Sequence, residues 1–459
     1  MSLKKVFVAN RGEIALRIIR ACEAEGIETV LGASEADRHS LPARQATQTV
    51  CIGPSQSSAS YLDVDAVVTA AKGMGCDALH PGYGFLAENA GLSDKCAEHG
   101  IIFIGPDGAT ISKLGDKISA RRIADAAGVP VVPGRDQVES FEDAQAAAKE
   151  IGFPVLLKAA SGGGGRGMQV VHAMNHLRTA YDTARAEARN AFGDDTLYME
   201  RFIETARHVE VQIFGDSKGN VVHLGERDCT LQRRHQKVVE EGPATAVAPQ
   251  TIAKMHTAAV RLAQSVGYQG AGTVEFIYDQ TLEDFFFLEV NTRIQVEHPV
   301  TELLTGVDLV REQLRVAAGD PLSVTQDDIT LTGHVIECRI NAEDARSGFL
   351  PSPGTLVNWQ APTGEGIRLD SHCHQGYEIP PFYDSMLAKL IVKADSRDAA
   401  LTRMAEALAV FQIEGVTTTL PFLKTLITHD AFRRDDVSTK WVEAVMDTPE
   451  FNTQLEAGS

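Results

Sequence analysis

The chain has 459 residues, 44% hydrophobic and 23% charged, with a formal charge of −19 from 43 basic and 62 acidic side chains. That length is too great for a single core and points to roughly two to four domains. The acidic balance and the lack of a basic run exclude a nucleic-acid surface, and no apolar stretch reaches membrane-spanning length.

The chain enters a strand at once, at Val6-Phe-Val-Ala9, with no signal-peptide pattern before it. Residues 13–25 have helical spacing (Ile14, Ile18, Ala21, Cys22) and stop at Gly26. Thr29 to Ala33 is the next strand, 61–72 a helix, Ala78-Leu-His80 a strand end, and Ile101 to Gly105 the last strand of the series. This alternation implies a mostly parallel, doubly wound sheet. A helix is expected from Asp116 to Gly128, then a break at Val129–Gly134, a helix over 141–151 and a strand over 153–160. Residues 132–203 read as a small inserted lid. The seven cysteines are scattered and form no CxxC pair, which favours a reducing compartment over a disulfide frame or zinc site and places the protein in the cytoplasm.

Ser161 to Gly167 contains GxGxxG, but Met168 to His172 after it reads as a strand rather than a helix. It is therefore a glycine hairpin loop able to lay backbone N–H groups over phosphates and to move as a lid, with a flexible linker as the alternative. Lys158 lies inside an apolar strand and needs an anion to keep its charge there. Lys117 opens a helix, where a cation is disfavoured unless an anion meets it. Glu200 to Ile203 could line an adenine pocket, His208-Val-Glu210-Val-Gln212 alternates polar and apolar, and Gln232 to Lys237 is a compact cluster of donors.

Helical spacing returns at 249–266. Thr273–Tyr278 and Phe285–Asn291 then read as two strands around the turn 279–284. Folding that hairpin puts Glu275 opposite Glu289, a repulsive pair unless a divalent cation lies between them. Two carboxylates and the Asn291 amide suit Mg²⁺, with phosphates completing its shell. A solvated hairpin face is the alternative. Glu289, Asn291, Arg293, Gln295 and Glu297 fall at every second residue, so a chain that stays extended sends all five to one face. A helix over 301–318 follows, then short strands such as His334–Ile340 between Pro/Gly turns, and helices at 397–410 and 417–429. The final dozen residues are expected to fray.

Taken together the chain resembles the biotin carboxylase component of biotin-dependent carboxylases, an ATP-grasp enzyme. The matching motifs are Val8 to Ala15, His80 to Leu86, Ser161 to Met168, Glu226 to Cys229, Gln232 to Glu241, Glu289 to Glu302, Glu337 to Glu343 and Tyr383 to Leu387. Two stretches depart from the family pattern, 46–49 and 417–419, and neither holds a residue with an assigned role. The resemblance implies an α/β fold in three parts: a doubly wound N-terminal domain over 1–113, an ATP-grasp domain over 114–330 with its mobile lid at about 132–203, and a mixed β/α C-terminal domain over 331–447. It assigns Lys117, Lys158, Glu200, Ile203, His208, Gln232 and His235 to ATP, with Gly163, Gly164, Gly165 and Gly167 over the phosphates. Glu275, Glu289 and Asn291 would hold Mg²⁺ or Mn²⁺. Lys237, Arg293, Gln295 and the Val296 backbone match the bicarbonate site, and Tyr83 a residue beside biotin. Glu297 matches the base that deprotonates bicarbonate, and Arg339 the residue that stabilises the biotin enolate. The implied reaction is carboxylation of carrier-bound biotin through carboxyphosphate, the first half-reaction of an acyl-CoA carboxylase such as acetyl-CoA carboxylase in fatty acid biosynthesis. A homodimer is expected by the same resemblance. No Met-Lys-Met biotinylation tripeptide occurs, so a biotin carboxyl carrier protein and a carboxyltransferase are expected on separate chains, unless the chain is an excised domain. The alternatives are another ATP-grasp ligase, such as one forming carbamoyl phosphate, and a nucleotide-binding subunit without catalysis. An oxidoreductase using a nicotinamide conflicts with a GxGxxG that lies in a hairpin.

Overall fold

The computed structural model describes residues 3–159 and 168–457. The N-terminal sheet contains β1 (Lys5–Val8), β2 (Glu28–Ser34), β3 (Gln48–Gly53), β4 (Ala78–His80) and β5 (Ile102–Phe103) in the order β3-β2-β1-β4-β5, every pair parallel. The order reverses between β1 and β4, and such switch points leave a crevice beyond the strand ends. Asn10, just after β1, bridges to the chain beyond β4 at that crevice by donating to the carbonyls of Pro81 and Tyr83, each at 2.7 Å.

The segment expected to form a lid contains an antiparallel sheet of β6 (Gly134–Val138), β7 (Val155–Ala159), β8 (Met168–Val171) and β9 (Leu197–Arg201), ordered β6-β9-β7-β8. Helices Phe141–Ile151 and Met174–Phe192 pack on it, with Ala144, Ala148, Leu177 and Tyr181 meeting Val155 and Leu157 in one core. The pairing of β7 with β8 agrees with the hairpin expected on either side of the glycine stretch. The glycines themselves, Gly163, Gly164, Gly165 and Gly167, lie outside the described residues.

The central sheet joins β10 (Ala206–Gly215), β11 (Val221–Arg233), β12 (Gln236–Gly242), β13 (Gly270–Asp279), β14 (Asp284–Asn291), β15 (His334–Asn341), β16 (Ile367–Ser371) and β17 (Met386–Ala394). Their order is β14-β13-β10-β11-β12-β15-β17-β16. One sheet thus runs through the boundary expected near residue 330, because β12 pairs directly with β15. The helices Arg397–Val410 and Leu420–Thr428 cover the far part of this sheet, where Met404, Leu408 and Leu423 pack against Ile336, Leu390 and Val392.

Several expectations change. The alternating strip does not remain extended: β14 ends at Asn291, and Thr292 to Val296 form a loop leading to Glu297, the N-cap of helix His298–Thr305. Where the chain leaves the ladder, the Thr292 N–H donates to Glu88 instead of to a strand, and the Arg293 Nε donates to the same carboxylate, both at 3.1 Å. The helix expected over 301–318 is two helices, broken at Gly306, whose φ of +78° is left-handed. Up to residue 457, the last one described, the chain end does not fray. Helix Pro449–Ala457 buries Phe451 and Leu455, four residues apart, against the core that holds Phe422. Helices Leu41–Gln45, Ala90–Glu98 and Gly108–Gly115 were not foreseen from the sequence. Among the described residues no helix is long and apolar enough to cross a membrane.

Candidate active site

The site begins with a register. β13 and β14 pair so that Glu275 faces Glu289 and Thr273 faces Asn291. β10 lies on the other side of β13 and sets Glu210 opposite Glu275. Three carboxylates thus stand side by side across neighbouring strands. Burial and the charge of Glu275 push the Glu289 carboxyl above its ordinary range. Glu275 goes the other way: burial alone would raise it, but Lys237 and then His208 hold it well below the usual carboxylate range. The hard oxygen donors of Glu275, Glu289 and Asn291 suit a divalent ion of the Mg²⁺ type, and a cation there removes the repulsion. The Asn291 amide nitrogen is turned to Glu275 Oε1 at 2.9 Å and its oxygen accepts from Arg293 at 3.1 Å.

Lys237 is the hub. Its Nζ lies 2.5 Å from Glu210, 2.9 Å from Glu275 and 2.7 Å from Glu297. Burial opposes its charge, yet the three carboxylates hold its pKa well above that of an ordinary lysine. Gln295 Nε2 donates to Glu275 at 2.9 Å. Arg339 reaches Glu297 Oε2 at 2.9 Å and Glu240 Oε1 at 2.6 Å. Glu297 is fully buried, and Lys237, Arg339 and Arg227 overcome that burial to hold its carboxyl far below the usual range. Arg227 is buried too, bound to Glu210 at 2.6 Å, Gln212 at 2.8 Å and Thr301 at 2.7 Å.

Above this network is a cavity of about 780 Å³. Lys237, Arg293, Gln295, Val296, Arg339 and Tyr83 all line it, although the strip that carries three of them is not a strand. Tyr83 sits at the crevice beyond β4 and donates to the buried Glu13. A second cavity of about 690 Å³ adjoins the first. Lys117, Lys158, Glu200 and Ile203 line it, as do His208, Gln232, His235 and Glu289. The apolar side chains of Leu156, Met168, Ile277 and Leu288 give it flat walls suited to a base. Lys158 pairs with Glu200, and that pairing, with Tyr198, outweighs burial and keeps the ammonium charged. Lys117 opens helix Lys117–Ala126 and is solvent-exposed at the cavity rim. His235 stands in a two-residue turn between β11 and β12, where Arg234 and His235 have φ of +47° and +63°. Such left-handed turns favour Gly or Asn, so these side chains are held there at some cost in strain.

Sequence reasoning missed part of this constellation. Glu210 and Glu240 lay in quoted motifs without a role, although alternation along β10 and β12 could have flagged them. Thr439, Lys440 and Glu443 line the nucleotide-sized cavity from some 150 residues beyond Glu289, the last of its other walls, and no local pattern announces them. Glu443 accepts from the Arg234 N–H at 3.0 Å, which helps hold the strained turn.

Comparison with known proteins gives a consistent result. Residues 2–111 match the biotin carboxylase N-terminal domain, 116–325 the ATP-binding domain of the carbamoyl-phosphate synthase L chain, and 337–444 the biotin carboxylase C-terminal domain. Biotin carboxylase 1 of Bacillus subtilis is 50% identical over 442 residues, covering 96% of this chain and 98% of that protein. One pyruvate carboxylase component of Methanothermobacter thermautotrophicus is 49% identical over 440 residues, covering 96% and 89%. The biotin carboxylase domain dimer of Hydrogenobacter thermophilus 2-oxoglutarate carboxylase, solved with MgADP and bicarbonate, superposes with a TM-score of 0.91 at 46% identity, covering 97% of this chain and 98% of that one.

Proposed function

Because the chain belongs to the biotin carboxylase family, we propose that it uses ATP and bicarbonate to carboxylate biotin on a carrier protein. One observation supports this most: Lys237, Arg293, Gln295 and Arg339 converge on one cavity, over Glu297 and beside a nucleotide-sized cleft. An enzyme that joins a one-carbon anion to ATP needs that adjacency.

ATP enters the cleft lined by Lys117, Lys158 and His235, with its base between the apolar walls. Lys158, already charged, meets the phosphates by exchanging Glu200 for them. Glu275, Glu289 and Asn291 would hold Mg²⁺, which would supply positive charge to the phosphate oxygens. Arg293, Gln295 and Lys237 orient bicarbonate. Glu297 takes its proton while a bicarbonate oxygen attacks the γ-phosphorus, the bond to ADP breaks, and carboxyphosphate forms. Carboxyphosphate splits into CO₂ and phosphate, and the phosphate takes the N1′ proton of biotin. Arg339 sets a fixed positive charge where the ureido oxygen becomes negative, and N1′ attacks CO₂.

The proposal extends to an acyl-CoA carboxylase as the parent system, with the carrier and the carboxyltransferase on separate chains. It also takes in a homodimer, in keeping with the dimeric relative, and a cytoplasmic location, in keeping with seven free cysteines. The decisive assay is ATP turnover with and without bicarbonate, free biotin and candidate carriers. Bicarbonate-dependent turnover that rises with biotin is expected. Turnover indifferent to biotin would favour another ATP-grasp ligase, to which the carbamoyl-phosphate synthase match over 116–325 gives some footing.

A further inference from the structure

Beneath Arg339 two fully buried carboxyls, Glu240 on β12 and Glu337 on β15, are direct cross-strand partners. Side chains so placed have Cβ atoms about 5 Å apart, and two like charges there repel. Glu240 uses Oε1 to hold Arg339, and its Oε2 has no donor among the described residues. Neither oxygen of Glu337 has one. The charged groups facing Glu337 are Arg339 on its own strand, Glu240 on β12, Lys389 on β17 and Glu297 at the head of helix His298–Thr305, while Lys237 on β12 acts on Glu240. Its cations are engaged elsewhere. Arg339 serves Glu240 and Glu297, Lys389 lies 3.1 Å from Glu13 and 2.8 Å from the Val296 carbonyl, and Lys237 binds three other carboxylates. Around this centre, among the described residues, Glu210, Glu240, Glu275, Glu297 and Glu337 share Arg227, Lys237 and Arg339, with His208 beside Glu275 and with Lys389 divided between Glu13 and Asp370, so all five do not ionise cheaply.

We propose that Glu337 is kept as a neutral acid, that its proton is hydrogen-bonded to the free Oε2 of Glu240, and that this acid–carboxylate pair positions the Arg339 guanidinium. A neutral donor satisfies the second oxygen of Glu240 without cancelling its charge. Glu240 then holds Arg339 through Nε and Nη2, Nη2 also meets Glu297, and Nη1 is left for the substrate. An ionised Glu337 would repel Glu240 and draw Arg339 down from the cavity. Burial first, then Glu240 and Glu297 acting against Lys389, raises the Glu337 carboxyl well above the ordinary range, and Glu240 itself is pushed up.

The inference rests on Arg339 facing biotin, so its test has one readout that does not. In the infrared spectrum of the full chain at pH 7, the wild-type minus Glu337→Gln difference should show the carbonyl band of a protonated carboxylic acid, sensitive to deuterium exchange. Glu240→Gln should shift that band, which preserves the assignment if Glu337→Gln does not fold. In turnover assays Glu240→Gln should lower kcat for biotin carboxylation about 10- to 100-fold, with the KM for ATP little moved. Glu337→Gln, whose amide can still donate, should retain at least about tenfold more carboxylation than Glu337→Ala. Absence of the band in wild type, or equal losses in Glu337→Gln and Glu337→Ala, overturns the proposal. Wild-type protein that shows the band but does not carboxylate biotin upholds the acid pair and refutes the functional reading instead.

Discussion

Replacing Lys237 with Met removes the one ammonium that touches Glu210, Glu275 and Glu297, whose side chains are 0%, 6% and 0% exposed. At 2.5–2.9 Å and an effective dielectric near 20, each contact is worth about 6 kcal/mol of Coulomb energy. Most of that only offsets the desolvation of four buried charges, and breaking such a cluster on one side typically costs about 3–5 kcal/mol net. The pH dependence has a definite sign. With Lys237 present, the folded pKa values of Glu275 and Glu297 lie below their unfolded values, so these acids stabilise the fold above the unfolded pKa and the gain is lost as the pH falls. Without Lys237 their folded values rise, because burial is no longer opposed, and both groups take up protons on acidification. The stability gap between wild type and variant should therefore be full at pH 7 and narrow toward pH 5, by up to about 1.4 kcal/mol per pH unit for each proton bound. Urea unfolding of the nucleotide-free protein at both pH values measures it. A gap below about 1 kcal/mol at pH 7, or one that widens on acidification, refutes the view that Lys237 neutralises this cluster.

Glu289→Gln removes a like charge opposite Glu275. It should stabilise the nucleotide-free protein by up to about 1 kcal/mol while shrinking the rise in Tm produced by MgADP; a lower nucleotide-free Tm would contradict the pairing. Glu297→Ala and Arg339→Ala should each cut biotin carboxylation by at least about 100-fold and leave ADP affinity within about twofold by calorimetry. A large loss of nucleotide binding in either would show that the two cavities do not divide the labour. His372 is buried, and that burial, then the nearby Arg11, pulls its pKa down to about 3. Unfolded histidine is protonated below about 6.5, so stability should fall with pH from there toward 3, at about 1.4 kcal/mol per unit from this residue. His372→Gln should flatten the urea-midpoint profile by one proton.

The hairpin that opposes Glu275 and Glu289 was legible because a turn signal between two apolar runs fixes the register, and register fixes which side chains meet. Lys158 was legible as a buried cation short of an anion, and the structure supplies Glu200. The run from Arg293 to Glu297 misled in form: alternate spacing predicts a strand, but the chain leaves the ladder after Asn291, where Glu88, some 200 residues earlier, takes the Thr292 N–H and the Arg293 side chain. The Glu240–Glu337 pair was hidden for a similar reason. Both lay in recognised motifs, but nothing local tells that β12 pairs with β15 across almost a hundred residues. The strained Arg234–His235 turn could not be read either, since the residues that favour such turns are absent. The closing helix was misjudged because fraying of chain ends is a general tendency that the burial of Phe451 and Leu455 overrides here.

One feature of the resting site bears on how a base can work there. Glu297 is held far below the ordinary carboxylate range, and a carboxylate so stabilised is a weak proton acceptor. The cations that hold it are also those that line the substrate cavity, Lys237 and Arg339. Each can serve Glu297 or a substrate oxygen, but its strongest contact can be made to only one at a time. Under the proposed function, bicarbonate on Lys237 and the biotin ureido oxygen on Arg339 would take from Glu297 its two largest sources of stabilisation and leave burial, the opposing effect, less opposed. Its proton affinity then rises at the moment a proton is presented. The same exchange would let a buried acid stay ionised without substrate, yet act as the proposed base when the site fills. It also requires that Arg227, which no substrate reaches from either cavity, remain on Glu210 throughout, so that the negative cluster never loses all of its neutralising charge.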